Sequence, residues 1–269
     1  FYKDYHLFDF GVYAFTQKTI GKITLSGGLR FDNRNINTDP LLDGTTVKGS
    51  AFKKSFSNIS GSAGLAAQVS KSVNLKFNVA RGFRAPSIPE LTSNGAHEGT
   101  IRYEYGNTSL KSETSLQFDG GMEYSAGHIS IGLSAFYNNF DNFIFYRKLE
   151  AVAGGDSLVN HNGDDLTAFK FDQVKAVLTG LEATVDMHPH PLDWLHILNT
   201  FSVVSGQLRN PIEGNKYLPF MPASKLVTEF KGSFKKLTKN ISNLYVKFEV
   251  DNTFSKQNVF TVYNTETKT

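Results

Sequence analysis

Cysteine is missing from all 269 residues, which excludes disulfide scaffolds, thiolate metal sites and cysteine nucleophiles. Its absence does not fix a compartment. No apolar run approaches the ~18 residues of a membrane-crossing helix. Excess charge is scarce too: the formal net charge of +3 is too small to point to nucleic acid. The densest basic group, Lys231, Lys235, Lys236 and Lys239, reads as a solvated turn. Helical periodicity is absent. Phe1-Tyr2-Lys3-Asp4 opens with neither Met nor an apolar leader, and "QNVFTVYNTETKT" ends as if mid-strand or mid-loop. We therefore expect the chain to be an internal stretch of something longer.

What is present is aromatic and β-prone: 23 Phe and 11 Tyr beside one Trp, with abundant Gly, Asn, Ser and Thr. Period-two alternation recurs along the chain. In "VNLKFNVA", Val73, Leu75, Phe77 and Val79 share one face and Asn74, Lys76 and Asn78 the other. "SLQFDGGMEY", "HISIGLSAFY", "ITLSGGLRFD", "VLTGLEATVD" and "LYVKFEVDNTF" behave alike. Successive strand side chains point to opposite faces, so each segment has an apolar and a polar side. The pattern predicts an all-β chain of about ten strands, most about ten residues or longer.

Connections alternate in length. Short turns fall near Lys18-Thr19, Ser70-Lys71, Ala126-Gly127, His188 to Pro191 and Leu237 to Ile241. Long loops fall near 32–55, 82–113, 151–165 and 207–220. In an antiparallel up-and-down meander every second connection shares an end, so long loops gather at one rim. That is how outer-membrane barrels are built. A soluble β-sandwich or lipocalin-like barrel, acting as an adhesin or surface-binding module, is the alternative. Alternation does not separate the two. Strand length, regular spacing and aromatics such as Phe31, Tyr124, Tyr137 and Phe254 favour the membrane.

The segment "NVARGFRAPSIPELTSNGAHEGTIRYEYGNTSLKSETS" resembles TonB-dependent outer-membrane receptors. Phe83, Arg84, Ala85, Pro86, Glu90, Leu91, Gly95, Gly106, Asn107, Leu110 and Glu113 carry the match. "AFYNNFDNFIFY", "AVLTGLEATVDMHP" with Gly180 and Glu182, and "LPFMPASKL" resemble later stretches of the same family, in order. The resemblance implies a partial transmembrane β-barrel over residues 1–269, without the family's N-terminal plug, coupling box and C-terminal strands. It implies outer-membrane lipid, the plug, an energy-coupling TonB protein and a small solute or metal as partners of the parent, and no nucleic acid. An open arc leaves unpaired backbone groups at both edges. We expect it to curl shut, pair with a copy, or exist only within a whole receptor.

No catalytic constellation is legible. Ser87, Ser93 and Ser109 share a loop with His97 but sit in no nucleophile motif, and Ser26 to Gly28 lies within a strand rather than a phosphate loop. Binding is the better class. Candidate solute or metal contacts are His97, Glu98 and Glu104 in one loop and His161 and Asp164 in another, because imidazole and carboxylate suit borderline metals. "SNGAHEGT" also resembles receptors of this family associated with zinc uptake, so zinc or an iron chelate is the expected solute. No resident cofactor is expected. His188 and His190 in "HPHP" read as turn residues on the opposite rim, with a weak metal clip conceivable. Arg84, Glu90 and the other motif residues are expected to hold the long loop in shape.

Overall fold

The computed structural model describes residues 3–97, 99–235 and 238–267. The strands are β1 (Tyr5–Ile20), β2 (Ile23–Thr38), β3 (Leu41–Asp43), β4 (Thr46–Gly49), β5 (Phe52–Gln68) and β6 (Val73–Arg84). After a one-turn helix, α1 (Ile88–Thr92), come β7 (Asn94–Ala96), β8 (Arg102–Tyr105), β9 (Glu113–Ala126) and β10 (Ile129–Lys148). The rest are β11 (Leu158–His161), β12 (Asp164–Met187), β13 (Leu195–Ile212), β14 (Asn215–Tyr217), β15 (Lys225–Lys235) and β16 (Asn243–Thr253).

Ten long strands form one antiparallel meander in the order β1-β2-β5-β6-β9-β10-β12-β13-β15-β16. The expected ten-strand, up-and-down wall is thus observed. Among the described residues β1 and β16 are not paired to each other, so the wall is an open arc that has not curled shut. The short strands β3, β4, β7, β8, β11 and β14 all lie within the long connections.

Register shows what the alternation is for. Leu25, Leu65, Phe77, Gly120, Ala135, Leu181 and Val203 form one cross-strand row over seven strands. That face stays open: Leu29 is 68%, Ile59 59%, Phe77 58% and Phe248 63% exposed. A sandwich would bury this face against a second sheet. Among the described residues no second sheet covers it, so the sandwich alternative fails and the face is the lipid-facing side. The opposite face is polar and carries ion pairs such as Asp9–Arg34 at 2.7 Å, Arg30–Asp32 at 2.6 Å and Lys247–Glu229 at 2.6 Å. Such exposed pairs add little stability each, but they define the inward face.

Strands run further into the long connections than the alternation indicates. β6 continues to Arg84 and β12 spans 24 residues. At about 3.3 Å per residue β12 is about 80 Å long, well over what a tilted crossing of ~30 Å of hydrocarbon needs. The surplus stands at the long-loop rim. There the connections fold inward onto the wall and make their own apolar core. Ile36, Phe56, Ala85, Ile88, Leu91, Leu110 and Ile144 form one cluster, with Phe52 and Phe171 against it. Ala176, Leu208, Leu218, Phe260 and Val262 form a second, where the segment after β16 lies on β12 and β13.

Candidate functional site at the long-loop rim

The connection from β6 to β9 is built on its family-like residues. Ser87 caps α1: its hydroxyl accepts from the Glu90 amide, and its own amide donates to the Glu90 carboxylate at 2.7 Å. Pro89 suits the first turn of the helix. α1 is five residues long, too short for any period to announce it. Arg84 donates to Glu90 at 2.8 and 2.9 Å and reaches Glu113 at 3.3 Å. Desolvation opposes its charge, but the bonds and charges of Glu90 and Glu113 outweigh it and hold the guanidinium above its ordinary pKa. Glu113 also accepts from the Ile144 amide at 2.8 Å, which ties β9 to β10.

The second half of the motif closes the loop. The Gly106 amide donates to the Ser93 carbonyl at 2.6 Å and the Asn107 amide to the Glu90 carbonyl at 2.8 Å. The Asn107 side chain donates to the Phe171 carbonyl at 3.3 Å and caps the Ser109 amide at 3.0 Å. Leu91 and Leu110, each 1% exposed, with Ala85 and Pro86, fill the space beneath. Lys54 reaches up from β5 to the carbonyls of Thr108 and Leu110 at 2.8 and 2.6 Å. Phe83 remains in β6, opposite Thr114.

This frame carries the hairpin β7–β8 to the top of β12. Arg102 to Tyr105 pairs in parallel with Thr167 to Lys170, along the edge that β13 leaves bare. An uncovered edge invites wrong pairing, so the hairpin also protects the wall. The pairing places Arg102 against two aromatic rings that meet edge-on, 5.4 Å from the centroids of both Tyr146 and Phe169. Its guanidinium donates to the Tyr146 hydroxyl at 2.9 Å. Phe220, from the connection between β13 and β15, stacks on Tyr146 at 5.0 Å and is 46% exposed. Phe171 adds an edge at 6.1 Å. Two separate connections and the rim ends of β10 and β12 thus supply one arginine–aromatic corner. Among the described residues Arg102 forms no ion pair with a carboxylate.

The residues singled out as ligands are brought only partly together. His97 lies 3.1 Å from Glu104, Nδ1 to Oε1; Glu104 is buried and His97 half exposed. The Tyr103 ring meets His161 edge-on at 6.1 Å. His161 stands opposite Asp164 in the β11–β12 hairpin, and Asp164 is exposed. Glu98 lies outside the described residues. Among the described residues these groups do not gather three ligand atoms; the trio that does is Asp186, His188 and His196, at the other rim. Tyr146, Phe169 and Phe220 were legible only as strand or loop aromatics, because nothing local in the sequence links them to Arg102.

A family described as "TonB dependent receptor-like, beta-barrel" matches residues 1–266. The chain belongs to this family. As a TonB-dependent receptor barrel it is similar to the ferric enterobactin receptor of Pseudomonas aeruginosa, 31% identical over 179 residues, which cover 61% of this chain and 20% of that protein. It is likewise 30% identical over 175 residues to the ferrienterobactin receptor of Escherichia coli K12, covering 60% of this chain and 19% of that one. The chain spans about a fifth of the length of these curated relatives. Among solved structures the copper transporter OprC superposes with a TM-score of 0.74 at 14% identity, over 96% of this chain and 36% of its own. The TonB-dependent receptor wall seen here is outer-membrane β-barrel structure, and these relatives are receptors and transporters by name rather than enzymes.

Proposed function

We propose that this chain forms wall and outer rim of a receptor that captures a metal chelate, foremost a ferric one, for energy-coupled uptake across the outer membrane. The observation that carries the proposal is the Arg102 corner. A guanidinium packed on an edge-to-face aromatic pair, with an exposed ring beside it, suits a flat ligand with anionic or aromatic metal-binding groups. The iron chelates in the names of the two sequence relatives support the ligand class. His97 and Glu104 supply two ligand-type atoms at the same rim, which favours contact with a chelate's edge over capture of a bare zinc ion. The solute is the cargo, and no chemistry is performed on it. Outer-membrane lipid, a plug within the barrel and a TonB protein at the short-turn side are the partners this role requires.

The test is equilibrium binding of ferric enterobactin to the intact receptor in detergent. Losing a desolvated cation–π and hydrogen-bonding group costs about 1–2 kcal/mol, so Arg102→Ala should weaken binding about 5- to 30-fold. Phe220→Ala should weaken it less. Wild-type affinity in both Arg102→Ala and Tyr146→Ala would sink the proposal.

A further inference from the structure

Four of the chain's seven histidines, His128, His188, His190 and His196, lie at the short-turn rim, away from the Arg102 corner. The wall's topology collects them. β10 and β12 are neighbours, so the β9–β10 and β12–β13 turns sit side by side. Asp186 pairs with Ser130 and Leu198 and belongs to the inward, polar face. His188 follows two residues later and shares that face. His196, near the start of β13, comes back across the hairpin. The result is an i, i+2 pair on one strand completed by a residue from its neighbour.

The distances are those of ligands awaiting a common centre. His188 Nε2 lies 3.1 Å from Asp186 Oδ1, and the His188 and His196 rings are 4.1 Å apart. One ligand atom from each of Asp186, His188 and His196 lies within 4.8 Å of the others. Around a tetrahedral ion with bonds of about 2.1 Å, ligand atoms stand about 3.4 Å apart. Small rotations close that gap. All three residues are half-buried, which leaves side-chain freedom and a fourth position open to water. The turn is pinned independently: the His188 amide donates to the His128 carbonyl at 2.7 Å, and Trp194 stacks on Phe234 at 5.4 Å. His190 does not enter the trio. It lies beside the His128 ring at 5.5 Å and near Asp193 at 3.3 Å.

We infer that Asp186, His188 and His196 form a site for a borderline divalent cation, Zn²⁺ foremost, on the inward face at the short-turn rim. Two imidazoles and one carboxylate with an open position are a donor set that zinc accepts and that calcium and magnesium do not favour. Bound there, the ion clips the end of β12 to the start of β13. It is separate from the solute corner, and its function is to fix the mouth of the wall.

The experiment uses the intact, tag-free receptor in detergent, on a His97→Ala background that removes the other rim's histidine. Zinc titration calorimetry should report one site whose affinity falls at least about tenfold in His188→Gln and in His196→Gln; tenfold is the lower end for losing even an outer partner of a bound metal. Electron paramagnetic resonance with Cu²⁺ should show two coupled nitrogens, reduced to one in His196→Gln. His128→Gln and His190→Gln should leave both readouts unchanged. Equal zinc affinity in the parent, His188→Gln and His196→Gln would overturn the site, as would an unchanged nitrogen count in His196→Gln. Relative to the His97→Ala background, ferric enterobactin binding should be indifferent to the His128, His188, His190 and His196 substitutions, so this result and the Arg102 result stand or fall separately.

Discussion

Gly106→Ala is a one-carbon change aimed at the frame beneath the candidate site. A Cβ at Gly106 would stand 2.5 Å from the Thr92 nitrogen, 2.6 Å from the Ser93 nitrogen and 2.7 Å from the Leu91 carbonyl carbon. All three are backbone atoms, so no side-chain rotation relieves the clash. Restoring ordinary contact, which begins at 3.4 Å, requires the segment to withdraw by about 0.9 Å. That shift would stretch the 2.6 Å Gly106–Ser93 bond and the 2.8 Å Asn107–Glu90 bond to the limit of hydrogen bonding or past it. Two bonds at about 0.5–1.5 kcal/mol each, with about 1–3 kcal/mol of overpacking, give about 2–6 kcal/mol against the folded loop. Hydrogen exchange by mass spectrometry on the receptor in nanodiscs reads this directly. Protection over residues 88–110 should fall about 30-fold to about 20,000-fold, while the lipid-spanning parts of β6 and β9 keep theirs. Unchanged exchange in 88–110, or a loss spread evenly over the wall, would refute the reasoning.

Other perturbations test the same frame. Arg84→Ala leaves Glu90 and Glu113, whose side chains are 15% and 12% exposed, without their counter-charge. Because Arg84 is itself 43% exposed, the cost should be about 1–3 kcal/mol, below that of breaking a fully buried pair. The yield of folded receptor should drop while the folded fraction binds chelate normally, and Arg84→Lys should not rescue it, since one ammonium cannot fork to two carboxylates. A selective loss of affinity with normal yield would contradict this. Leu110→Ala, at a side chain 1% exposed, should cost about 2–5 kcal/mol and lower the temperature at which the loop loses its exchange protection; an unchanged melting profile would count against its core role.

The wall was legible because its signal is repetitive. Each strand states its two faces within about ten residues, and alternation of long and short connections states the meander. The strand ends were less legible. β2, β6 and β12 continue into polar sequence because backbone pairing there needs no apolar partner. β8 was invisible as a strand: four residues, Arg102–Tyr105, pair in parallel with a partner more than sixty positions away. The arginine–aromatic corner fails to announce itself for the same reason, since Arg102, Tyr146, Phe169 and Phe220 come from distant stretches. His97 and Glu104 are brought together because they sit in one short hairpin. His188 was noticed beside His190, yet its structural partner is His196, which only the cross-strand register reveals.

The inward-folded loop core has an evolutionary consequence. Ile88, Leu91 and Leu110 anchor the connection from below, while His97 and Ile101 at its tip stand toward the outside, Ile101 being 77% exposed. The anchor is packed in the apolar cluster under the loop, whereas Ile101 projects from it. A substitution at the exposed Ile101 should leave the barrel folded. A change in the anchor is seen by the whole rim at once. Change is therefore tolerated at the exposed Ile101 and not in the buried anchor.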